Sequence, residues 1–313
     1  MLRLRIVCPA ELTDTVVARV RDDLGVVTVG LYPRASLVPE GDVVECEVVR
    51  ERVNNIVEAL RAMGLERRGT ISILQVDAVA SRAERAVERA APGHEADAVP
   101  WALVEEDARD NAEPSATFFV LMALAAIIAA VGIVIDSAVL IIGAMIVGPE
   151  YGPMTAVSVG LHRRRTFWRS AAVVLAIGLL VSILAAAATA AVARLFGEPL
   201  ASFEPTSRFF TGFVTDPNAY SAVVALVAGV AGTVALARSQ ATALAGVLVS
   251  VTTIPAAAAV GVDAATGQWR DCWRASVQLG INVAAILVAS VLTLTVYDRV
   301  WTQVTRSRRS RLP

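Results

Sequence analysis

Ser137–Leu161 constrains this chain more than any other stretch. It reads S-A-V-L-I-I-G-A-M-I-V-G-P-E-Y-G-P-M-T-A-V-S-V-G-L. An unbroken helix of that length would measure about 37 Å, enough for a hydrocarbon core of about 30 Å. Gly148, Pro149, Gly152 and Pro153 interrupt it midway, around Glu150 and Tyr151. Each proline removes a backbone donor and clashes with the preceding turn, so the helix is expected to kink or unwind there. Backbone groups freed in this way cannot face lipid, so the break must face protein or a water-filled cavity. An ionisable residue at that depth marks a candidate functional site.

Composition supports a membrane reading, with 56% hydrophobic residues and a mean hydropathy of +0.60. The formal charge of -1 and the lack of a basic stripe argue against nucleic acid as a partner. Cys8, Cys46 and Cys272 are scattered, without disulfide or zinc spacing. The N-terminus M-L-R-L-R-I-V-C-P has no apolar h-region and does not read as a signal peptide.

The first eighty residues read as a soluble α+β domain. Leu2–Val7 alternates apolar and basic residues, as a half-buried strand does. Glu11–Leu24 and Glu51–Met63 are amphipathic helices, followed by Gly25 and Gly64 as expected caps. Val26–Tyr32, Val43–Val49 and Thr70–Ala78 complete a βαββαβ order, that of a ferredoxin-like sandwich. Such a domain is suited to binding a small effector or to self-association.

Residues 81–114 form a charged connector. Ser81–Ala91 is an expected helix, and Pro100–Asn111 an amphipathic segment whose Trp101 suits a membrane interface. From Ser115 six apolar spans are expected: Ser115–Ile135, Ser137–Leu161, Phe167–Leu195, Ala219–Leu236, Ala241–Val262 and Ala275–Tyr297. They make residues 115–298 the membrane domain, with 299–313 as a basic tail. Arginine placement sets the orientation. Arg163, Arg164, Arg165, Arg169, Arg238, Arg299, Arg306, Arg308, Arg309 and Arg311 share one side; Arg194, Arg208, Arg270 and Arg274 lie on the other. Both termini are therefore expected in the cytoplasm of a multi-pass plasma-membrane protein.

The spans also read as three repeated. Gly143 precedes Pro153 much as Gly246 precedes Pro255, and Trp168-Arg169 recurs as Trp273-Arg274. Three spans per unit invert the second half, and interrupted helices at matching positions of inverted repeats point to a transporter's midplane site. The expected pathway comprises Gly148, Pro149, Glu150, Tyr151, Gly152 and Pro153 of span two with Thr252, Thr253 and Pro255 of span five. Gln278 and Asn282, an i,i+4 pair on span six, are added as inward polar contacts. Asp136 reads as an interfacial helix-end residue, and His94 and His162 as residues of exposed linkers.

The block W-A-L-V-E-E-D-A-R-D-N-A-E-P-S, followed by G-I-V-I-D-S-A-V-L-I-I-G-A-M-I-V-G-P-E-Y-G-P-M, resembles the domain of unknown function 389 family over Trp101–Tyr297. These are bacterial and archaeal hydrophobic membrane proteins, so the resemblance implies an architecture and no activity. Members often carry a double proline where this chain has Pro255 alone.

The sequence therefore favours a transporter or channel for a small solute or ion, sited at broken spans two and five. The alternative is a membrane-anchored sensor or scaffold whose spans mainly oligomerise. The lipid bilayer and further copies of the chain are expected partners. No cofactor or metal motif is present, and no catalytic motif supports an enzyme.

Overall fold

The computed structural model describes residues 1–76, 87, 99–197, 219–237 and 253–309. Expectations on Ser81–Ala91 (residue 87 apart), His94, the outer loop from residue 198 to Asn218, Arg238, residues 241–252 with Thr252, and the last four residues lie outside it. The chain divides into two units, Met1–Val104 with Asp298–Pro313, and Glu105–Tyr297.

In the first unit the order is β1 (Leu2–Cys8), α1 (Ala10–Arg21), β2 (Val26–Leu37), β3 (Glu40–Val48), α2 (Arg50–Ala62), α3 (Leu65–Arg68) and β4 (Thr70–Gln75). The sheet order is β2-β3-β1-β4, antiparallel throughout. The alternation in β1 decides its faces: Leu2, Leu4, Ile6 and Cys8 are buried while Arg3 and Arg5 are exposed. Those four pack with Val44, Cys46 and Val48 of β3 against Val16, Val20, Val53, Ile56 and Leu60 of the helices. The opposite face carries ion pairs, Arg3–Glu47 at 2.8 Å and Arg5–Glu45 at 3.6 Å. Asp23, after α1, receives both Arg52 Nε and Nη2 at 2.9 Å and the Gly25 N–H at 3.1 Å.

The second unit is helical. It holds the end of α4 (Trp101–Asp110), then α5 (Ala116–Val134), α6 (Ala138–Val147), α7 (Tyr151–His162), α8 (Trp168–Leu195), α9 (Ala219–Ala237), α10 (Thr253–Thr266) and most of α11 (Trp269–Arg309). Ser115 caps α5 by accepting the Phe118 N–H at 3.1 Å. Among the described residues three helices are long and apolar enough to cross a membrane: α5, α8 and Trp269–Val300 of α11. The bent pair α6–α7 makes a fourth, and α9 and α10 are shorter apolar helices. Val120, Leu124, Ile127, Val131, Val173, Ile177, Leu180 and Leu184 point outward from α5 and α8. So large an exposed apolar surface suits lipid.

At the centre of this unit is α10, whose residues from Thr253 to Asp263 are all buried. Its alanines pack against Met122, Ala126 and Ile133 of α5, Ile141 and Met145 of α6, and Ala186 and Ala190 of α8. Small side chains let helices approach closely where lipid supplies no hydrophobic drive.

Candidate functional site: the break between α6 and α7

Local chemistry explains the break. The Gly148 N–H closes α6 on the Ala144 carbonyl at 3.0 Å, and Gly148 is then extended (φ -69°, ψ 124°). Pro149 has no N–H to continue the ladder. Glu150 returns to helical angles (φ -60°, ψ -23°) as the residue before α7. Pro153 falls third in α7, in the first turn, where its missing N–H costs nothing. The two helices meet at 51°.

The Glu150 side chain is 1% exposed, and its Oε2 has no hydrogen-bond partner among the described residues. It folds back over Gly148: a Cβ there would lie 2.5 Å from Glu150 Oε2 and 2.7 Å from Ile254 Cγ1. Only glycine lets the carboxyl and Ile254 of α10 converge on that backbone. Beside Ile254, Thr253 is fully buried, and its Oγ1 is also unpartnered among the described residues. Pro255 lies in α10, next to Ile254, and Pro153 is the third residue of α7.

Tyr151 turns the other way. It packs with Met154, Leu175 of α8, Ala225 and Ala228 of α9, and Ile286 of α11, and its hydroxyl lies against Gly232 of α9. Gly152 admits the side-chain Oδ1 of Asn111 in the connector, which a Cβ would meet at 2.5 Å. Asn111 is exposed, so the first turn of α7 lies beside a solvent-facing side chain just ahead of α5. The sequence reading set Glu150 midway along a span kinked or unwound at its prolines, and the two helices do meet at a bend there.

Gln278 and Asn282 form a separate buried cluster. Gln278 Nε2 donates to Asn282 Oδ1 at 2.9 Å, and Ser221 of α9 donates to the same oxygen at 3.4 Å. Gln278 also bonds Ser221. This polar group joins α9 to α11, and none of these bonds reaches Glu150. His162, expected in an exposed linker, is the last residue of α7, with Nδ1 3.4 Å from Thr295 Oγ1 of α11. Asp136 sits between α5 and α6 with φ 51°.

Three features escaped the sequence reading. Asp263 is buried in α10, although it stood just beyond the expected end of span five. Ser221 completes the Gln278–Asn282 cluster. Glu105 of α4 accepts Arg163 Nε at 2.8 Å and Arg165 Nη2 at 2.9 Å, at the C-terminal end of α7. Burial pushes the Glu105 carboxyl up, but the two guanidinium groups outweigh it and hold it below the usual range.

No curated protein and no solved structure matches the chain. Residues 145–288, from the end of α6 into α11, match the model of the family described as Domain of unknown function (DUF389).

Proposed function

We propose that the protein is a membrane transporter or channel for a small solute or ion, with its site at the α6–α7 break. The observation that carries this reading is a helix pair broken at a buried carboxyl with an unpartnered oxygen. A span that only anchors gains nothing from such a break, which forfeits helical hydrogen bonds and buries a costly group. The same reading takes six spans as two inverted three-helix repeats, with both termini in the cytoplasm. The matched prolines of α7 and α10 support the repeat.

The N-terminal unit is then a cytoplasmic ferredoxin-like domain that regulates the site and assembles copies of the chain. Its two edge strands support self-association. A shallow hollow lined by Arg3, Thr28, Gly30, Tyr32, Glu45 and Glu47 is the place for a small effector.

Purified protein in liposomes, given gradients of alkali cations, protons and small metabolites in turn, tests this. Wild type moves one of them, and Glu150→Gln loses that flux while eluting at the same assembly size. Equal flux through both proteins overturns the assignment of the site.

A further inference from the structure

We propose that the occupant of Glu150 is a proton: the residue is carried as the neutral acid while the break is closed, and flux through the protein is proton-coupled rather than metal-cation-coupled. This rests on the site reading above and names its ligand. On opening, a hydronium ion gives its proton to the carboxylate and leaves as water. On release, the acid returns the proton to water, and no other reactant is needed.

The argument begins from burial. Glu150 is 1% exposed, and Oε2 accepts nothing from the described residues. An ionised carboxylate in such a place costs several kcal/mol, and a group so placed takes up a proton instead. Its position at the N-terminus of α7 offsets only about 0.3–1 kcal/mol, or about 2 kcal/mol in the best partly buried cases. Desolvation wins.

Among the described residues no compensating base donates to Oε2. Of the helices packed around α7 and α10, α5 and α6 carry no titratable side chain, and α8 has Arg169 and Arg194 near its two ends. On α10 the titratable group is Asp263, nine residues beyond Ile254; on α9 it is Tyr220; on α7 they are Tyr151 and His162; on α11 Arg270, Asp271, Cys272 and Arg274 lie near the start and Tyr297, Asp298 and Arg299 follow Ile286. Arg109, Asp107 and Asp110 precede Asn111 on α4. None of these donates to Oε2.

A metal cation fits less well. Hard cations such as Ca²⁺ take six to eight oxygen ligands, and among the described residues no three acidic, His or Cys side chains gather. The Pro149 and Glu150 carbonyls are already engaged, accepting the Gly152 and Met154 N–H groups at 3.2 and 3.3 Å.

Dicyclohexylcarbodiimide provides the test, because this apolar reagent adds a protonated buried carboxyl across its N=C bond. The acid oxygen attacks carbon, the proton goes to nitrogen, and the acylisourea rearranges to a stable acylurea of equal mass. The full-length protein in liposomes is treated across a pH series, and the adduct is located by peptide mass. The expected adduct is on Glu150, absent from Glu150→Gln, falling about tenfold per pH unit above its titration. Sodium, potassium, magnesium or calcium at constant pH leaves it within about twofold. Protection by any of these cations, labelling that ignores pH, or no adduct on Glu150 at any pH overturns the proposal. Labelling that titrates, beside equal flux in wild type and Glu150→Gln, instead keeps the proton and retires the transport reading.

Discussion

Glu105→Gln should loosen the C-terminal end of α7, by an amount the geometry sets. The carboxylate accepts two charge-assisted hydrogen bonds, from Arg163 at 2.8 Å and Arg165 at 2.9 Å. Its side chain is 11% exposed, those of the arginines 26% and 47%. Hydrogen bonds to charged groups are each worth about 1.5–3 kcal/mol. The Arg165 share must be discounted heavily, since water screens that guanidinium and rehydrates it. The amide keeps one acceptor for Arg163, so a net loss of about 2 kcal/mol is expected. For a unit of this size that is an apparent Tm lower by about 4–8 °C, read at one scan rate in mild detergent. Combining it with Arg163→Met should cost less than the sum of the singles by at least about 1 kcal/mol. The pH dependence has a definite sign. The folded carboxyl titrates below its unfolded value, so its contribution is full above about pH 4.3 and fades as pH falls through the folded value. A variant within about 1 °C of wild type, or strict additivity with Arg163→Met, would refute the reasoning.

Two further substitutions separate close approach from conformational freedom. Gly148→Ala puts a methyl 2.5 Å from the Glu150 carboxyl and 2.7 Å from Ile254, at backbone angles any residue adopts, so a loss of about 1–3 kcal/mol in thermal unfolding is expected. Gly143→Ala, with open space around its Cα, should be neutral or gain up to about 1 kcal/mol from helix propensity; equal effects at both positions would defeat the steric account. In the N-terminal unit, Asp23→Asn should cost about 2–4 kcal/mol by leaving Arg52 half-paired, with less of the loss visible in acid. There burial pushes the Asp23 carboxyl up, while Arg52, the Gly25 N–H and Arg19 together hold it low. An Asp23→Asn penalty unchanged between neutral and strongly acidic pH would rule this out.

What the sequence makes legible follows from the range of each interaction. The break at Gly148–Glu150 is local: a proline acts on its own turn whatever packs around it, so its place follows from the residues alone. The strands of the N-terminal unit are legible by alternation, since one buried face imposes a period of two on β1 and β3. The sequence reading ends β2 at Tyr32, before Pro33. The strand in fact runs to Leu37, with a register shift between Tyr32 and Ser36. As an edge strand paired only with β3, it tolerates the proline.

The contacts that give the break its chemical character are the least legible, because they join residues far apart in the chain. Nothing local marks Glu105 as the partner of Arg163, or Ser221 as the partner of Asn282. Ile254 is different: it adjoins Thr253, which the repeat sets near Glu150, and its side chain lies where a Gly148 Cβ would be. Glycine there, Pro153 in the first turn of α7, and an apolar residue next to Thr253 serve one geometry. They let a carboxyl lie against backbone with no bulk between them, and a helix interior cannot offer that. Filling this space displaces the carboxyl without replacing it, which is why Gly148→Ala probes the site from the side that Glu150→Gln leaves untouched.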